Sequence, residues 1–131
     1  MVFLLLRING LASWPEEFAA AHRVEPSACW HKGDRQHRGR TAVEHGISFI
    51  LQEQPSWIEA LPAVQQFIRS NESMLRSANA EGASIELSVG VTVGEVTSFA
   101  PSLDFAPPFL QQLGTLNIAL CVSAYPTSDE T

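Results

Sequence analysis

The chain has 131 residues, 45% of them apolar and 17% charged, and a net charge of −6. It is too apolar for a disordered polymer and too short to divide into two domains with a core each, and its acidic balance argues against general binding to nucleic acid. Glycines and prolines, eight of each, are scattered, so no linker or repeat breaks what reads as one domain over residues 1–126 with a flexible tail over 127–131.

Residues 2–8 are apolar on both alternations, with Val2, Leu4, Leu6 and Ile8 on one and Phe3 and Leu5 on the other. That predicts a strand covered on both faces or set in the middle of a sheet. No basic stretch precedes the run and no small-residue cleavage site closes it, so it does not read as a signal peptide. It is also far shorter than the roughly 20 residues of a membrane span. The expected location is the cytoplasm, with no membrane partner and with Cys29 and Cys121 as free thiols.

Ser13-Trp14-Pro15-Glu16 matches a capping box and predicts a short helix to about His22, with Phe18 turned inward. Pro26 breaks the pattern, an extended piece follows around Ala28-Cys29-Trp30, and Lys32-Gly33-Asp34 predicts a turn. Residues 46–51 form the next expected strand, and the two extended pieces make a long-looped hairpin. Ser56-Trp57-Ile58-Glu59 is a second capping box. Pro62 lies too deep for a regular helix from Ser56, so it predicts either a kink or a main helix that begins at Pro62.

From there Val64, Phe67, Ile68, Leu75 and Ala78 recur near the helical period, giving the longest helix, closed by Gly82. Ile85, Leu87, Val89, Val91 and Val93 alternate with Glu86, Ser88, Gly90 and Thr92, which predicts a strand with one buried face. Pro107-Pro108 opens a short helix carrying Phe109, Leu110 and Leu113, and residues 118–125 give the last strand. The expected fold is α+β: a two-layer sandwich with one mixed or antiparallel sheet of four to five strands and helices mainly on one face. Its first six elements follow the order of a ferredoxin-like βαββαβ unit.

The segment 22–45 stands apart. It holds five cations against three acids and all four histidines, while the rest of the chain has three cations against eleven acids. Cys29, His31, His37 and His45 invite the question of zinc, but after Cys29-x-His31 the gaps of six and eight residues do not fit paired ligands, so no metal is expected. Cys29 beside His31 is the one sequence-local thiol–imidazole pair, and nothing else supports thiol chemistry; no catalytic residue and no cofactor are expected. Glu86 and Glu95 meet the histidine-rich loop only under a particular topology.

Lys32, Arg35 and Arg38, with Arg40, have the chemistry to bind carboxylate or phosphate, though without a glycine-rich cradle. Trp30 reads either as an aromatic packed on the sheet edge or as the floor of a pocket lined by arginine and histidine. The candidate ligand-binding set is Trp30, Lys32, Asp34, Arg35, His37 and Arg38, set against the plainer reading of a solvated loop.

Arg7-Ile8 in the first strand, Pro26-Ser-Ala-Cys-Trp30-His-Lys32-Gly33-Asp34, and Leu110-Gln-Gln-Leu113-Gly114 before the last strand occur here in a definite order. In that order the chain resembles, over roughly residues 3–125, the bacterial family catalogued as domain of unknown function 4279. It departs from the family in having Ile47-Ser48-Phe49 where a tryptophan tends to follow the polar loop. The resemblance implies the α+β fold and no activity, and it carries over no catalytic residue. The leading expectation is a non-catalytic module for a protein or peptide partner. Next comes a small-molecule domain or enzyme for an anionic ligand, and then self-association through the edge of the 85–93 strand.

Overall fold

Alternation decides the central strand. In the computed structural model, which describes residues 1–94 and 102–126, β1 (Val2–Leu11) buries Val2, Leu4, Leu6 and Ile8 on one face. The opposite alternation leaves Arg7 exposed and Leu5 half-buried. The helices follow the buried face. These are α1 (Pro15–Ala21), α2 (Trp57–Ser70), α3 (Glu72–Ala80) and α4 (Pro107–Thr115), and Phe18, Trp57, Ile68, Leu75 and Phe109 pack with the even-numbered residues of β1 in one core. Burying each such large apolar side chain contributes about 1.5–3 kcal/mol before chain entropy is counted.

The remaining strands are β2 (Ala28–Trp30), β3 (His45–Gln54), β4 (Ser84–Val93) and β5 (Ile118–Pro126), in the spatial order β2-β3-β1-β4-β5. The first four are antiparallel to their neighbours, which is the strand order of a ferredoxin-like βαββαβ unit. β5 adds to β4 in parallel through the α4 crossover. The fold is thus α+β with an open mixed sheet. β1 is central, covered by helices on one side. No helix among the described residues is long and apolar enough to cross a membrane.

Four local expectations are corrected. The Ser13 hydroxyl caps nothing; it donates to Glu81 Oε2 at 2.7 Å and its amide donates to Glu81 Oε1 at 2.8 Å, so α1 starts on Trp14 without a side-chain cap. Partial burial pushes the Glu81 carboxyl up, but these two bonds, together with the Ala12 amide and the nearby His22, hold the group below its usual value. Pro62 neither starts nor breaks a helix, because α2 runs continuously from Trp57 with Ser56 accepting from the Glu59 amide at 3.4 Å.

The break comes instead at Asn71. Its side chain donates to the Phe67 carbonyl at 2.8 Å and its backbone leaves helical geometry, dividing the long helix into α2 and α3. The alternating strand, finally, is not an edge: β4 lies between β1 and β5.

Candidate functional site: a basic cleft on the open sheet face

The helix-free face of the sheet carries Ala28, Trp30, Ser48, Gly46, Arg7 and Asn9 side by side, since Ala28 pairs with Ser48, Ser48 with Arg7, Trp30 with Gly46 and Gly46 with Asn9. Trp30 lies flat across Gly46. A Cβ at that glycine would stand 2.3 Å from the indole and 2.6 Å from the Ile8 carbonyl, so only glycine fits. The Trp30 Nε1–H donates to Asn9 Oδ1 at 3.0 Å, which fixes the ring in place and contributes about 1 kcal/mol.

The polar segment after β2 is a small hairpin arm. The Gly33 amide donates to the Ala42 carbonyl and the Ala42 amide to the Asp34 carbonyl, both at 2.8 Å, and the Gln36 amide donates to the Arg40 carbonyl at 2.6 Å. Arg35 and Thr41 form a bridge between these bonds. The tip reverses through Arg38 and Gly39 with φ of 63° and 73°, the positive pair that tight hairpin turns need. Only Ala42 of the arm is buried.

Arm and open face enclose a cleft of about 760 Å³. Arg7, Asn9 and Trp30 line it from the sheet, and His37, Arg38 and Arg40 from the arm. Glu44 is the one acidic residue on its wall. Among the described residues the ion pairs are His31 with Glu16 and Asp34, and Arg76 with Glu72, so none of the three cleft arginines is in ion-pair contact with a carboxylate, although Glu86 stands opposite Arg7 in the β1–β4 register. A smaller cavity of about 330 Å³ between the α2–α3 junction and α4 is lined by both Arg69 and Glu72 and has no such bias.

The base of the arm is tied to α1. The His31 ring lies between two carboxylates, with Nε2 at 2.8 Å from Glu16 and Nδ1 at 3.0 Å from Asp34 Oδ2. It also stacks on Trp14 with centroids 4.2 Å apart. Glu16 first and then Asp34 favour the imidazolium and raise the His31 pKa. Reciprocally, His31 lowers Glu16 through its ring hydrogen bond and lowers Asp34 first through its backbone amide. His45 completes the knot, with Nδ1 accepting from the Lys32 amide at 2.9 Å and its ring T-shaped to Trp14 at 5.3 Å.

Of the residues singled out from sequence, Trp30, His37 and Arg38 come together at the cleft. Lys32, Asp34 and Arg35 are not on its wall: Asp34 belongs to the His31 knot, and Lys32 contributes its amide to His45. Arg7, Asn9 and Arg40 complete the site and were not in that set. The signal was present for Arg7 and Asn9, polar residues on one alternation of an otherwise apolar strand. Cys29 is no activated nucleophile, since burial pushes its thiol up and Glu16 adds to the effect.

Glu86 accepts from the Ser88 hydroxyl at 2.9 Å and is absent from the cleft wall; Glu95 and the tail at 127–131 lie outside the described residues. Among the described residues no three His, Cys, Asp or Glu side chains converge as metal ligands. No family model matches the chain, and comparison with curated proteins and with solved structures finds no match either.

Proposed function

We propose that this chain is a small non-catalytic binding domain whose cleft accepts an anionic ligand. The observation that carries the reading is the grouping of Arg7, Arg38 and Arg40 around the indole of Trp30, none of them in ion-pair contact with a carboxylate among the described residues, although Glu86 stands opposite Arg7 on β4. Guanidinium groups offer two-pronged hydrogen bonding to carboxylate or phosphate, and an indole face accepts the planar or apolar remainder of a ligand. The arginines are exposed, so each contact is worth closer to a surface ion pair than to a buried one. Three such contacts of about 1 kcal/mol or less give millimolar or weaker binding from charge alone, so tighter binding requires the indole contact as well.

A protein or peptide partner presenting an acidic side chain or a chain-terminal carboxylate satisfies the same chemistry. That second reading is favoured by Val43 on the cleft wall and Ile50 two residues along β3 from Ser48, which are 78% and 70% exposed. Calorimetric titration against carboxylated and phosphorylated metabolites and against acidic peptides separates the two. Binding by either class that weakens in Arg38→Ala/Arg40→Ala supports the cleft, and a flat response across both classes overturns it.

A further inference from the structure

We propose that β5 is a dimerisation edge, at which a second copy of this chain continues the sheet by antiparallel β5–β5 pairing. β5 is paired to β4 along its whole length, from Ile118 opposite Ile85 to Pro126 opposite Val93. Among the described residues no strand pairs with its other side. An open row of backbone donors and acceptors about 30 Å long is a template for another strand, and monomeric proteins blunt such edges with charge, proline, bulges or brevity.

The sheet's two edges differ in this respect. β2 is three residues long and runs straight into the hairpin arm. β5 is nine residues, Ile-Ala-Leu-Cys-Val-Ser-Ala-Tyr-Pro, with no charged residue, no glycine, and proline only at its final position. Apolar surface follows the same border: Val122 is 45% exposed, Tyr125 is 54%, and Leu110 is 47% on α4, the helix packed against β5.

The occupant that fits is the same strand. All fourteen acids of this acidic chain lie off β5, so two copies approach there without carboxylates opposed. In a two-fold register centred on Val122, that residue meets its own copy and Leu120 meets Ala124 of the second copy on the helix side. Cys121 meets Ser123 of the second copy and Ala119 meets Tyr125 of the second copy on the open side. Each pair is apolar or small, the cross-strand composition that stabilises an antiparallel ladder.

The test is sedimentation equilibrium of the full chain between about 10 µM and about 1 mM. The expected mass rises from 14.3 kDa toward twice that value. Val122→Lys sets two ammonium groups opposite each other and is expected to weaken the dimer by at least about tenfold. Cys121→Lys, at an exposed position, is the second variant should the first fail to fold, as judged by circular dichroism. Val122→Cys in a Cys121→Ser background is expected to form an intermolecular disulfide under mild oxidation, since opposed residues of an antiparallel pair sit within the Cα separation a disulfide spans. A wild-type chain that stays monomeric throughout the range overturns the proposal. So does a folded lysine variant that dimerises as the wild type does, or a monomer whose β5 amides resist hydrogen exchange because another part of the chain covers them.

Discussion

The cations at the two ends of the hairpin arm have different fates. At its base, His31 finds a carboxylate for each ring nitrogen, one from Asp34 three residues on and one from Glu16 on α1. At its tip, Arg38 and Arg40 face a sheet surface that supplies another cation, Arg7, with Glu44 as the single acid on the wall. The element packed beneath each end decides whether its charge is consumed in holding the fold or left available to something else. A charge run is therefore informative about function only after the opposing surface is known.

The largest change to this contrast is expected from Gly46→Ala, which forces a methyl into the indole of Trp30 and the Ile8 carbonyl. Overpacking of this kind costs about 1–3 kcal/mol, read by urea denaturation, and it displaces the floor of the cleft, so anion binding is lost along with stability. Next, Arg38→Ala/Arg40→Ala is expected to lower anion affinity about tenfold. Its thermal midpoint should stay within about 1 °C of the wild type, because neither side chain holds a described ion pair. A double variant that melts early would show the tip to be as structural as the base.

His31→Gln has the opposite signature. The folded-state pKa of His31 lies above its ordinary 6.5, so its contribution is fully present below that pH and is lost as pH rises through the raised value. Glu16 and Asp34 lie below their ordinary 4.5 and 3.8, so their contribution is present above those values and is lost as pH falls through the lowered ones. The stability gap between wild type and variant should be widest at pH 5–6 and close at alkaline pH, measured as thermal midpoint against pH. A gap that persists unchanged to pH 9 would assign the effect to Trp14 stacking rather than to charge. The smallest effect is expected from Lys32→Ala. Its backbone amide, not its side chain, makes the contact to His45, so stability should move by less than about 0.5 kcal/mol and binding not at all.

Much of the framework was legible from alternation and punctuation. The polar–apolar alternation of β4 and the two-sided apolar run of β1 located the strands, and element order alone suggested the ferredoxin-like arrangement that the four antiparallel strands adopt. What escaped was decided by distant partners. The Ser13–Glu16 capping box is locally sound, yet Glu81 takes the serine and His31 takes the glutamate across 68 and 15 residues. Asn71 interrupts a good amphipathic pattern with one side-chain bond. At the site, Trp30, His37 and Arg38 were readable as a group because they share one segment, whereas Arg7 joins them only through the registry of β1 with β3.

The central position of β1 bears on how the molecule is made. Its two neighbours, residues 45–54 and 84–93, follow it in the chain, so the most apolar strand is synthesised before either surface that shelters it. At about 5–20 residues per second, several seconds pass before β4 emerges, and no local hairpin protects β1 meanwhile. A topology that closes on a strand preceding both its neighbours through such distant pairings folds slowly.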